Sequence, residues 1–205
     1  MTPRRILLIL TFLAAVLVGL GIFRLTLGDG QASVRVTTSG RPELSIPLPA
    51  FSLVDQDGRP FTPAALRGRV WIVSFFFTRC PTICPRLTAK MGELVEATSG
   101  MDDLAFASIS VDPENDPPAV LRAYGTRHGA DFARWWFVTG DQKALEETVV
   151  SGFKLALARD DVGAIVHAER FVLVDAEGRI RGYFDADEPG QRDLLDAARR
   201  LVDAL

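Results

Sequence analysis

The chain has 205 residues, 48% of them hydrophobic, a formal net charge of −3, two cysteines and two histidines. This composition excludes a disordered chain, a collagen-like repeat and a disulfide-dense mini-scaffold. The apolar excess is local: residues 6–23 hold 15 apolar side chains in 18, interrupted only by Thr11, Gly19 and Gly21. The remainder is about 44% apolar, an ordinary globular composition that rules out a polytopic membrane protein.

Eighteen helical residues rise about 27 Å, close to the roughly 30 Å of a bilayer's hydrocarbon core, so residues 6–23 are expected to span a membrane once. A removed signal peptide is the alternative. Its apolar stretch is normally only about 7 to 15 residues, although Gly30-Gln31-Ala32 offers a small-x-small cleavage site. Arg4 and Arg5 precede the span and favour the cytoplasmic side, while Arg24 weakens the contrast. The expected location is therefore the inner (cytoplasmic) membrane, single-pass, with the C-terminal part exported. Without Arg4 and Arg5 the exported part carries −5, so the basic footprint of a nucleic-acid binder is absent. An exported compartment can oxidise thiols, which makes the two cysteines a candidate pair.

Residues 28–49 carry Gly, Ser, Thr and Pro with little periodicity and read as a tether leading into a first extended segment. The division expected is a stub and anchor at 1–23, a tether at 24–48 and one domain at 49–205. Residues 51–54 and Pro60-Phe61 flank Asp55-Gln56-Asp57-Gly58, a hairpin signal. Residues 70–77 (VWIVSFFF) are a continuous apolar run suited to a central strand covered on both faces. Leu87, Met91, Leu94 and Val95 have helical spacing, and a second buried strand is expected at 104–111.

Asp116 is expected to cap a helix with Pro117 at its first position, running toward Tyr124 and His128. A strand at 135–138 and a helix at 142–152 behind Asp141 follow. Residues 171–174 and 180–184 flank Asp175-Ala176-Glu177-Gly178, a second hairpin signal, and Leu194, Leu195, Ala198, Leu201 and Val202 mark a closing helix over 191–205. The order indicates an α/β sandwich with a mixed sheet. Trp71, Trp135, Trp136 and residues 75–77 read as core.

Between the central strand and its helix lies Thr78-Arg79-Cys80-Pro81-Thr82-Ile83-Cys84-Pro85. Each cysteine precedes a proline and is pushed out of the α region, so an irregular loop from Cys80 and a helix starting near Pro85 are expected. Cys84 then sits at the helix edge, where free N–H groups and the dipole favour thiolate, the nucleophile of disulfide exchange and the ligand of soft metals. Core thiols usually lie inside an apolar strand, whereas these occupy a loop at the carboxyl end of one, where open α/β sheets bind ligands. The three-residue spacing is one wider than the C-x-x-C of redox proteins and leaves both a disulfide and a shared metal ion open.

His128 reads as a C-terminal helix residue. His167 follows the Asp160-Asp161-Val162-Gly163 loop and precedes the strand at Phe171. A lone histidine there is usually a solvated loop residue. Two thiolates and one imidazole make a three-coordinate site that suits copper in both oxidation states, whereas structural zinc takes four protein ligands.

These residues resemble the SCO/SenC copper chaperones that help assemble cytochrome c oxidase, over nearly all of 49–205. The most specific piece is T-x-C-P-x-x-C-P at residues 78–85. Supporting pieces are Ser110-Val111-Asp112-Pro113-Glu114-Asn115-Asp116, Leu121-Arg122-Ala123-Tyr124 and Phe137-Val138-Thr139-Gly140-Asp141. The resemblance implies a thioredoxin-like fold, a single N-terminal anchor and copper, Cu(I) or Cu(II), bound by Cys80, Cys84 and His167. Family members commonly carry Asp-His-Ser where this chain has Val166-His167-Ala168, so a carboxylate beside His167 is missing from the pattern. Asp112 ends a strand at the same sheet edge and is a candidate to support the site from behind, or a turn residue ahead of Pro113.

The expected function is a membrane-anchored copper chaperone whose dithiol accepts copper with His167 and passes it to the oxidase subunit carrying the acceptor copper site. A copper donor protein and a thioredoxin-like reductase of the Cys80–Cys84 disulfide are the further expected partners. The alternative is a membrane-anchored thiol-disulfide oxidoreductase that reduces partner cysteines. Against it, Ala168-Glu169-Arg170-Phe171 lacks the proline that such reductases place opposite their cysteines, and Thr78 precedes Cys80 by two positions rather than a peroxidase's three.

Overall fold

The computed structural model describes residues 44–160, 163–166 and 169–205, with backbone alone at 158–160 and 163–166. The expected anchor at 1–23, nearly all of the tether, and His167 lie outside the described residues. Among the described residues, no helix is long and apolar enough to cross a membrane.

In chain order the elements are β1 (Ile46–Pro47), β2 (Leu53–Asp55), β3 (Pro60–Phe61), a 3-10 turn (Pro63–Leu66), β4 (Val70–Phe76), α1 (Ile83–Ala97), β5 (Leu104–Ser110), α2 (Pro118–Arg127), β6 (Trp135–Thr139), α3 (Gln142–Glu146), β7 (Leu157–Asp160), β8 (Gly163–Val166), β9 (Arg170–Val174), β10 (Arg179–Asp185) and α4 (Glu188–Val202). Eight strands form one mixed sheet in the order β1-β10-β9-β4-β5-β6-β2-β3, and β7 and β8 pair separately. The three central strands β4, β5 and β6 are parallel, and β9 closes antiparallel on β4. This is the mixed α/β architecture that the element order implies.

Every residue of β4 and β5 is buried, as continuous apolar runs require of strands covered on both faces. Alternation along β4 separates the two faces. Trp71 and Phe75 meet Phe153 edge-on at 6.0 and 5.1 Å, while Phe76 on the other face meets Tyr124 and Phe137 at 5.2 and 5.8 Å. Helix α1 buries Leu87, Met91 and Leu94 of the expected stripe and half-buries Val95, and it is joined to α2 by the Thr88 and Tyr124 hydroxyls, 3.0 Å apart. Ser74 and Ser108, side by side in β4 and β5, satisfy one another at 3.0 Å, and the Trp135 indole donates to Ser108.

Two local expectations are corrected. Helix α2 starts at Pro118 with Pro117 as its cap residue, and the Asp116 side chain makes no cap bond; it turns inward to other donors. The helix behind Asp141 is α3 for five residues and then widens into a π-helical turn over Glu147–Gly152, ending at buried Phe153. Asp160 and Gly163, the two ends of the segment read as a loop, pair with one another across β7 and β8. Asp141 caps α3 as expected, accepting the N–H groups of Lys143 and Ala144.

A candidate thiol site at the strand-to-helix turn

Strands β4 and β5 end in register, Phe76 opposite Ser110, at the carboxyl edge of the sheet. Beyond β4 the chain turns through Phe77 to Arg79, and the Cys80 N–H returns to the Phe77 carbonyl at 3.3 Å. Helix α1 begins at Ile83, two residues earlier than its prolines suggest, because Pro85 falls within the first turn, where no intrahelical N–H is required. Thr82 occupies the cap position without a side-chain bond. The Cys80 sulfur takes over that task, accepting the Cys84 N–H at 3.4 Å.

The two thiols are therefore unequal. Cys80 is half-buried and Cys84 fully buried. Burial is the largest influence on Cys80 and raises its pKa, but the N–H groups of Cys84, Thr82 and Ile83, with the Cys84 thiol, outweigh it and leave the value lowered. Burial dominates at Cys84 and pushes the thiol up to about 12, with further opposition from Cys80 and the Asp116 charge. The expectation that the helix start activates Cys84 is thus corrected. The free N–H groups of the first turn point outward and back along the chain, to the sulfur that precedes them.

Behind the loop is a polar cluster. Asp116, with no exposed surface, accepts the Thr78 N–H at 3.0 Å and the hydroxyls of Thr78 and Ser110. Asp112 is also buried and takes the Arg79 guanidinium at 3.0 and 3.2 Å and the Asn115 amide at 2.9 Å. Asp112 thus faces Arg79, the residue before Cys80. Sequence reasoning passed over Asp116, Thr78 and Ser110 as site residues. The available signal was two adjacent buried strands that both run into hydroxyl residues at one edge.

His128 is the C-cap of α2, with its ring 4.4 Å from that of Tyr124; burial, then Arg127, lowers its pKa. It borders a groove of about 460 Å³ whose lining includes Gly92, Glu93 and Trp135. Among the described residues, no cluster of three His, Cys, Asp or Glu side chains could hold a metal ion. Glu169 is described: its carboxylate lies 3.4 Å from Arg86 of α1 and its carbonyl accepts the Ala186 N–H.

Two sulfurs on one turn, linked by the Cys84 N–H donated to the Cys80 sulfur, form a soft donor pair that suits monovalent copper and can also close as a disulfide. A mixed α/β sheet carrying such a pair at a strand-to-helix turn defines a thiol-based metal-binding or redox protein. The SCO1/SenC family model matches residues 39–203, and the chain belongs to that family. It is 34% identical over 140 residues to the SCO1 protein homolog of Bacillus subtilis, covering 67% of this chain and 72% of the relative. It is 33% identical over 192 residues, 90% of this chain and 88% of the other, to a Stutzerimonas stutzeri protein whose name marks it as a candidate copper binder. The solved structure of BsSco, described as having a disulfide switch and as a member of the Sco family of cytochrome c oxidase assembly proteins, superposes with a TM-score of 0.71 at 30% identity. That match covers 79% of this chain and 96% of BsSco.

Proposed function

We propose that the chain is a membrane-anchored copper chaperone with a thioredoxin-like exported domain, in which Cys80, Cys84 and His167 bind copper for delivery to cytochrome c oxidase. The observation that carries this reading is the pairing of a half-exposed, easily ionised Cys80 with a buried Cys84 on one turn. Two thiolates suit Cu(I), and an imidazole makes Cu(II) tolerable. Cys80 is the sulfur that an incoming thiolate ligand reaches first, so copper enters and leaves on its side. Ligation needs both thiols reduced, and disulfide closure switches the site off, which calls for a thioredoxin-like reductase and a copper donor as partners. Residues 6–23 supply the anchor in the inner membrane.

Copper titration of the reduced full-length chain tests this. The expected result is one copper per chain and a sulfur-to-copper charge-transfer band in the Cu(II) form that disappears in Cys80→Ser and in Cys84→Ser. His167→Ala should weaken Cu(II) more than Cu(I). A reduced chain that takes up no copper overturns the reading.

A second reading, reduction of partner disulfides, is favoured by the same inequality: an accessible thiol of lowered pKa attacks, and a buried one resolves the mixed disulfide. Reduction of a protein disulfide by the metal-free chain, lost in Cys80→Ser, would support it.

A further inference from the structure

The two residues that lead into Cys80 are both held by one other loop. Thr78 is bound through its N–H and its hydroxyl to Asp116, and Arg79 through its guanidinium to Asp112. That loop, residues 111–116, is wound on itself. The N–H groups of Asn115 and Asp116 return to the Asp112 carbonyl at 3.1 and 3.0 Å, and Val111 bonds the Phe76 carbonyl across the sheet at 2.9 Å. It cannot shift without breaking several of these bonds together.

The two attachments differ in strength. Arg79 is more than half exposed, and an ion pair of that kind contributes little. Asp116 is fully buried, so its three hydrogen bonds are made away from water and removing any donor leaves a buried carboxylate short of a partner. This carboxylate caps no helix, since α2 starts beyond it. Its donors are the turn that carries Cys80 and the Ser110 that ends β5.

We propose that Asp116, acting through Thr78, is a positioning residue that holds Cys80 within reach of Cys84. The conformational freedom of the turn is then lost during folding and not at the moment when the two sulfurs join in a disulfide or converge on one ion. A preorganised pair closes more readily than a loose one. This deepens the proposed function, but its test needs no copper.

The equilibrium between the dithiol and its disulfide is measured in the full-length chain against glutathione. In that exchange the dithiol loses two electrons and two protons to oxidised glutathione, which becomes two molecules of reduced glutathione. Thr78→Val removes one donor to Asp116 and is expected to lower the equilibrium constant for disulfide closure about 3- to 10-fold, the scale of one ordinary intramolecular hydrogen bond. Thr78→Ser keeps the hydroxyl and should restore the native value; Asp116→Asn should lower it at least as far as Thr78→Val. Met91→Ala, which opens the core under α1 and lies outside the hydrogen-bond network of Asp116, serves as the control. It should lower thermal stability while leaving the closure constant within about 2-fold, because a general loss of stability acts on both redox forms alike. If Thr78→Val folds and keeps the native constant, or Met91→Ala shifts it as far, the positioning role is overturned. Absence of copper binding in the native chain, with the Thr78 series behaving as stated, overturns the chaperone reading and leaves this one standing.

Discussion

At the scale of single residues, three positions separate two thiols with opposite tendencies. Cys80 ionises more easily than an ordinary thiol, whereas Cys84 is held protonated by burial up to about 12. Alkylation of the reduced chain at neutral pH, followed by mass spectrometry, should therefore label Cys80 first. Cys84→Ala should react at close to the native rate, and Cys80→Ala should be nearly inert; equal labelling would contradict the assignment. The same inequality has a sign in stability. A folded pKa raised above its usual value of 9.0 gives Cys84 a stabilising effect that is complete below pH 9 and lost as pH rises toward about 12. Tyr124, raised by burial from 10.0 to about 12, acts in the same direction. Urea midpoints of the reduced, metal-free chain should fall from about pH 9 upward, and Cys84→Ala should flatten the lower part of that fall. Both cysteines were legible as a pair. Which of them is the easily ionised one was not, because that depends on where the first-turn N–H groups point.

At the scale of elements, packing at α2 is tighter than its sequence shows. A methyl group added at Gly125 would lie 2.9 Å from both Phe132 and Phe137 rings. Gly125→Ala should therefore destabilise by about 1–3 kcal/mol, measured by denaturant unfolding, although alanine is the better helix former. The opposite kind of element contribution is local. Asp187 caps α4 through the Gly190 N–H at 2.8 Å, and Asp187→Ala should cost about 1 kcal/mol in the same measurement. Strands β4 and β5 and the buried face of α1 were readable because their apolar patterns have one interpretation. Asp116 was misread because Asp before Pro-Pro has the local form of a helix cap. Its partners, Thr78 and Ser110, are 38 and 6 residues away, and no local rule connects them.

At the scale of the molecule, one sheet and its two covered faces account for the core among the described residues, all of which belong to the unit from Glu43 to Leu205. Residues 44–205 expressed alone should unfold in one cooperative transition, at a midpoint within about 2 °C of that of the full-length chain. A markedly lower midpoint would show that the first 43 residues contribute to the core. The sequence by itself determined the order of the main strands and helices, though not β7 and β8, together with the buried runs of β4 and β5 and the dithiol turn between β4 and α1. Each of these follows from patterns shorter than about 18 residues, the range over which periodicity and proline chemistry act. Only the tertiary structure decided that the helix start serves Cys80, that burial silences Cys84, and that Asp116 belongs to the thiol site. These outcomes depend on burial and on bonds between β4's exit and β5's exit, and the sheet brings those exits together only when it forms.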